Sequence, residues 1–323
     1  MIYEQAFQYL PEILSGQGYP SQEHEGGIVA AFTMAVLQEL NARNVNNPLS
    51  LIQCEKLYRL KKASWPSLKK GGRPRYLRAD LQVSIHDMRI GNSGLAAYGW
   101  RHANWLEAKY FRAFNLRTGL PKANSNQSLH TGELLADVYR ILALCPRGVP
   151  KKLEDNPTKE NRSNVGRYLL HVYSGTIEQH LSLKMKGRGE RQWIKAITEA
   201  GAQSAAITLA DEPSSVLQHV GSGLGALKLE FACTNFVIAP VESKPRSVTY
   251  TCILTRFDSF KLSLGGEFWG INEDRSIVSS GEEDAEIHQQ ISEFVGSRIS
   301  LKGELETTKP SLSDLELEED PDD

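Results

Sequence analysis

Cysteine is scarce. The 323 residues include 4, at positions 54, 145, 233 and 252, and no two of them form a CxxC pair. That spacing argues against a zinc knuckle, a dithiol redox centre and a secreted disulfide scaffold. Long apolar runs are also missing: no stretch approaches the roughly 20 residues that cross a bilayer. The opening residues, Met1-Ile2-Tyr3-Glu4-Gln5, carry neither the basic nor the apolar region of an export signal. A reducing cytoplasm is the expected location, with no membrane partner. The 8 histidines show no HxH or HxxxH pairing, so no histidine-metal site is read. Gly221-Ser222-Gly223-Leu224-Gly225 is not followed by Lys-Ser or Lys-Thr and reads as a turn, not a phosphate loop. There is no GxSxG elbow, and no repeat of 20–50 residues that would suggest a solenoid.

Net charge is also small, at −2, but it conceals a division. Residues 304–323 hold nine acids and one base, leaving 36 bases against 30 acids in the rest of the chain. Such a tail cannot bury enough apolar surface to offset its ordering entropy, and it reads as disordered. It is read as a solubilising segment, the alternative being a cover for a basic groove. The complementary feature is the run from Arg59 to Arg78, which has eight bases, no acid and Trp65 among them. Gly71-Gly72 and two prolines make it a loop. Lys61, Lys62, Trp65, Lys69, Lys70, Arg73 and Arg75 are its candidate DNA-binding residues. The bases would neutralise phosphates, and the indole would stack on a base or wedge a groove. The alternative is a solvated loop with Trp65 packed as an anchor. A second basic run, Lys184, Lys186, Arg188, Arg191 and Lys195, is expected to add phosphate contacts.

Periodicity sets out the elements. Residues 1–14 read as a short helix with Phe7 and Leu10 inward. A second helix runs from Ser21, as N-cap, to about Asn41, with Val29, Phe32, Val36 and Leu40 as its buried stripe. Glu25 and Glu39 share that inward phase, whereas Glu23 points away. Residues 76–86 alternate as a strand, with Leu77, Ala79, Leu81, Val83 and Ile85 on one face and Arg78, Asp80, Gln82, Ser84 and His86 on the other. A strand at 104–112 places Trp105, Glu107, Lys109 and Phe111 on one face. Further expectations are helices at 131–144, 175–183, 190–200 and 282–296. An inner strand is expected at 167–173, with β-rich segments at 226–239 and 247–261. The fold class is therefore α/β: a mixed central sheet flanked by helices, with a β-rich C-terminal part. The division expected is an α/β core over 1–185, a β-rich region over 186–303 and the acidic tail.

Asp80 stands on the polar side of its strand, and Glu107 and Lys109, two residues apart, project from one face of theirs. If the strands pair, the three converge. Two carboxylates with a main-chain carbonyl and water make an all-oxygen set that suits Mg²⁺. A lysine adds a point charge for a phosphate or for the attacking water. The copy of the ExK pattern at Glu242-Ser243-Lys244 lies between Pro240 and Pro245 and reads as a turn. The alternative for the first copy is a cross-strand salt bridge between Asp80 and Lys109, with Glu25 a partly exposed helix acid.

Asp80, Glu107 and Lys109, with the upstream Glu25 and the helix Gly132–Leu142, resemble the PD-(D/E)XK nuclease superfamily over roughly residues 20–185. Ala79 stands where that pattern has proline. The resemblance implies a restriction-endonuclease-like core and a Mg²⁺-dependent endonuclease (Mn²⁺ as an alternative) that leaves 5′-phosphate and 3′-hydroxyl ends. Asp80 and Glu107 would hold the metal. Lys109 would orient or activate water and stabilise the phosphate, and Glu25 would bind a second metal or its water. DNA is the expected substrate and bacterial restriction or phage defence the expected setting, with a homodimer and a defence-system protein as possible partners. A non-catalytic nucleic-acid-binding or scaffold protein on the same fold, and an RNA-cleaving enzyme, are the alternatives.

Overall fold

In a computed structural model of the chain, the residues described are 2–15, 24–57, 78–85, 103–112, 127–144, 165–185, 187, 189–220, 227–243, 248–264, 267–273 and 277–279. The basic run 59–77 with all its candidate DNA contacts, the glycine run 221–225, the expected helix at 282–296 and the acidic tail lie outside them. The helices are α1 (Ile2–Phe7), α2 (Leu10–Ser15), α3 (Glu25–Ala42), α4 (Gln127–Leu144), α5 (Ile177–His180), α6 (Gln192–Thr198) and α7 (Ser214–Val220). The strands are β1 (Ile52–Leu57), β2 (Arg78–Ser84), β3 (Ala103–Phe111), β4 (Val165–Ser174), β5 (Lys184–Met185), β6 (Gly189–Glu190), β7 (Gly201–Thr208), β8 (Lys228–Ser243), β9 (Val248–Leu264), β10 (Glu267–Ile271) and β11 (Ile277–Ser279).

Nine strands form one mixed sheet in the order β1-β2-β3-β4-β9-β10-β11, with β8 also on β9 and β7 on β8; β5 and β6 form a separate hairpin. β3 and β4 are parallel, and the other pairings are antiparallel. A parallel pair needs a crossover, and α4 lies in the connection between β3 and β4. β9 is long enough to pair with β4 over Tyr250–Arg256 and with β10 over Phe260–Leu264. The segments before and after residue 185 therefore share one sheet.

Around β4 each face of the sheet is covered. On one side α1, α2 and α3 bring Tyr3, Phe7, Leu10, Phe32 and Val36 onto Leu81, Val83, Leu106, Tyr168, Leu170 and Leu254. On the other, α4 and α6 bring Leu134, Val138, Trp193 and Ile197 onto Trp105, Phe111, Leu169, Tyr173 and Ile253. Every residue of β4 is buried, as expected of a strand with helices on both faces. Gln82 and Ser84, from the expected polar face of β2, are likewise buried, at 2% and 7% exposure.

Local chemistry moves several expected boundaries. The single helix at 1–14 is two, broken at Gln8-Tyr9, with Pro11 in the first turn of α2, where its missing N–H costs nothing. α3 begins at Glu25, not near Ser21, because the His24 ring is its N-cap: Nδ1 accepts the Gly27 N–H at 3.1 Å. Gly26 permits this, since a Cβ there would meet the His24 ring at 3.2 Å. α3 ends at a left-handed Asn44 (φ 55), after which the Val45 N–H returns to the Leu40 carbonyl at 3.0 Å.

Candidate active site

The alternation of β2 breaks at Asp80. Leu81 and Val83 join the layer under α3, but Ala79 packs into the layer under α4, not with them as the alternation implied. Across the sheet edge, Glu55 of β1, between the paired Cys54 and Lys56, has a positive φ of 52. β2 and β3 pair from Ser84↔Ala103 to Leu81↔Leu106, and Asp80 follows at the end of that ladder. There the Asp80 carboxylate takes a main-chain bond: the Ala108 N–H donates to Oδ2 at 2.6 Å. A charge-assisted bond this short fixes the carboxylate against the Glu107-Ala108-Lys109 backbone.

Glu107 and Lys109 share the face of Trp105 and Phe111, so they point into the layer that α4 covers. Glu107 is 1% exposed. The Lys109 ammonium sits among three carboxylates drawn from both helix layers: Glu25 Oε2 of α3 at 3.4 Å, and Glu133 Oε2 at 3.6 Å and Asp137 Oδ2 at 3.9 Å of α4. The start of α3 at His24 is what brings Glu25, its first helical residue, to this place. Burial works against the charge on Lys109. Asp137, Glu25 and Glu133 outweigh it and hold the ammonium well above the ordinary lysine value, so it is a cation throughout the neutral range.

Sequence reasoning brought Glu25, Asp80, Glu107 and Lys109 forward, and the structure places Asp80 on the Ala108 amide and Glu25 on the Lys109 ammonium of β3. It missed Glu133 and Asp137. Their signal was present: acids at i and i+4, each one residue before a member of the Leu134, Val138, Ile141 stripe, and so at its flank. Glu39, inward by phase, is held elsewhere. It is 3% exposed, meets Arg43 Nε at 2.8 Å and accepts from the Tyr9 hydroxyl at 3.3 Å. Arg191, expected among the phosphate contacts, is instead a core residue. Its Nε meets Glu212 Oε2 at 2.9 Å, the Trp193 Nε1–H donates to Glu212 Oε1 at 2.8 Å, and Arg191 Nη1 donates to the Lys184 carbonyl at 3.0 Å.

Among the described residues, no three His, Cys, Asp or Glu side chains gather so as to hold a metal ion by themselves. Mg²⁺ does not require that, because it keeps several waters and takes one or two protein carboxylates plus phosphate oxygens. Asp80 and Glu107, carboxylates on adjacent strands, are the two that could supply such a pair. No family model, no curated protein and no solved structure matches the chain. None of the described helices is long and apolar enough to cross a membrane.

Proposed function

We propose that the chain is a Mg²⁺-dependent phosphodiesterase of the PD-(D/E)XK type that hydrolyses DNA internally, in bacterial restriction or phage defence. One observation carries this reading: the Asp80 carboxylate held at 2.6 Å on the Ala108 amide, between the two functional side chains of the Glu107-Ala108-Lys109 strand. It brings a carboxylate of one strand onto the backbone that bears a second carboxylate and a cationic lysine.

Asp80 and Glu107 would hold the cation, which when bound supplies Lewis-acid neutralisation of phosphate charge. The Lys109 ammonium, surrounded by three carboxylates, orients the attacking water and stabilises charge that develops on the phosphate. Glu25, 43% exposed at its side chain, is open to solvent and orients water or a second cation. The bases of the 59–78 run would supply the non-specific affinity for the nucleic-acid backbone. The setting in defence, the homodimer and a partner protein rest on the resemblance alone.

The three counter-ions around Lys109 favour a second reading, in which the cluster is structural and the protein binds nucleic acid without cutting it. Incubation of supercoiled plasmid and of RNA with Mg²⁺, and in parallel with EDTA, separates the two. Nicking or linearisation of plasmid that EDTA abolishes is the expected result. Binding without cleavage favours the scaffold, and cleavage of RNA alone changes the substrate.

A further inference from the structure

We propose that Glu133 and Asp137 are positioning residues for Lys109: with Glu25 they form a three-carboxylate cradle that aims the ammonium at the scissile phosphate. This rests on the nuclease reading above. A lysine has four flexible carbons, and one ion pair leaves its head free to swing. Here three acceptors surround the head, one from the first turn of α3 and two from successive turns of α4. With its side chain 20% exposed, the lysine is confined but still reachable. The separations of 3.4, 3.6 and 3.9 Å exceed the 2.7–2.9 Å of a tight charge-assisted bond. The ammonium is therefore steered by charge from three sides and can turn an N–H toward a phosphate oxygen without breaking a short bond. Asp137 gains as well, because its side chain is 9% exposed and a carboxylate buried to that degree is costly without a counter-ion.

Glu133→Gln and Asp137→Asn keep shape and remove charge, and the double variant is the test. Two readouts apply. In protein labelled with ¹⁵N-lysine, the Lys109 ammonium, assigned by its absence in Lys109→Arg, should be visible and protected from water exchange in the wild type. The double variant should lose that protection. Its plasmid cleavage should fall at least tenfold in kcat, with KM and the DNA dissociation constant within twofold, and Asp137→Glu alone should retain most of the rate. Lost protection with wild-type kcat overturns the positioning role and leaves the nuclease reading standing. Protection that persists in the double variant overturns the cradle. A parallel loss of DNA affinity and melting temperature, which Asp137→Glu shares, overturns it in favour of a structural counter-ion. A wild type that shows the protected ammonium but cleaves neither DNA nor RNA overturns the nuclease reading and the aiming role with it.

Discussion

His171 provides a stability switch whose size follows from its surroundings. It lies in the middle of β4, in register with Lys109 of β3 and Ile253 of β9, and is fully buried. One ring nitrogen meets the Tyr173 hydroxyl at 2.9 Å and the other the Thr255 hydroxyl at 3.1 Å, and Thr255 donates on to the Ile197 carbonyl at 3.2 Å. Burial pushes the imidazole down to about 3, only partly offset by the Ile197 backbone contact. In the unfolded chain the group titrates near 6.5. Below that value the unfolded state binds a proton that the folded state refuses. The stabilisation is thus whole above about pH 6.5 and is lost as the pH falls toward 3. Between pH 7 and pH 4.5 the loss from this one group is about 2.6 kcal/mol, at about 1.36 kcal/mol per pH unit once the unfolded histidine is charged. Urea unfolding of the wild type and of His171→Gln at both pH values measures it. The variant is less stable at pH 7, because Tyr173 and Thr255 lose their partner, but the gap between the two proteins narrows by about 2.6 kcal/mol at pH 4.5. A gap that stays constant refutes the linkage, and with it the neutral buried imidazole.

Four further outcomes are expected. Arg191→Ala strands Glu212 in the core and lowers unfolding free energy by about 3–5 kcal/mol, read by the same urea titration; a loss under about 1 kcal/mol would mean that Glu212 is not buried with it. Asp80→Asn retains an acceptor for the Ala108 N–H, so folding survives while calorimetry shows weaker Mg²⁺ or Mn²⁺ binding. Glu107→Gln and Lys109→Ala each cut Mg²⁺-dependent cleavage about 100-fold or more, and full activity in both removes the site assignment. Replacing Lys69, Lys70, Arg73 and Arg75 with Ala weakens DNA binding regardless of sequence and flattens the plot of log affinity against log salt by up to about 0.9 per lost contact; an unchanged slope means that these bases do not touch phosphate.

Periodicity in the chain determined the type of the central elements and the phase of most of their faces, but it put Ala79 on the wrong face and gave neither β7 nor α7. The alternation of 78–84 and 103–111 and the helical stripes of 25–42 and 127–144 were legible, as were Asp80, Glu107, Lys109 and the inward Glu25. Phase reports which way a side chain points, but not how deep it lies or what covers it. Gln82, Ser84 and Glu107 occupy an alternating polar face that in an isolated hairpin would meet water. They are buried in the folded sheet, where α4, in the β3–β4 crossover, covers the side of β3 that bears Lys109. Pairings between distant segments were beyond local pattern for the same reason. Glu25 lies 84 residues from Lys109 in the chain, and the two meet because the His24 cap starts α3 where it does. Arg191 reads as one base in a basic run, and only the fold places it against Glu212 and Trp193. The two inward acids of α3 are indistinguishable by phase. Tertiary packing separated them, by giving Glu39 the Arg43 guanidinium and the Tyr9 hydroxyl and giving Glu25 the lysine of β3.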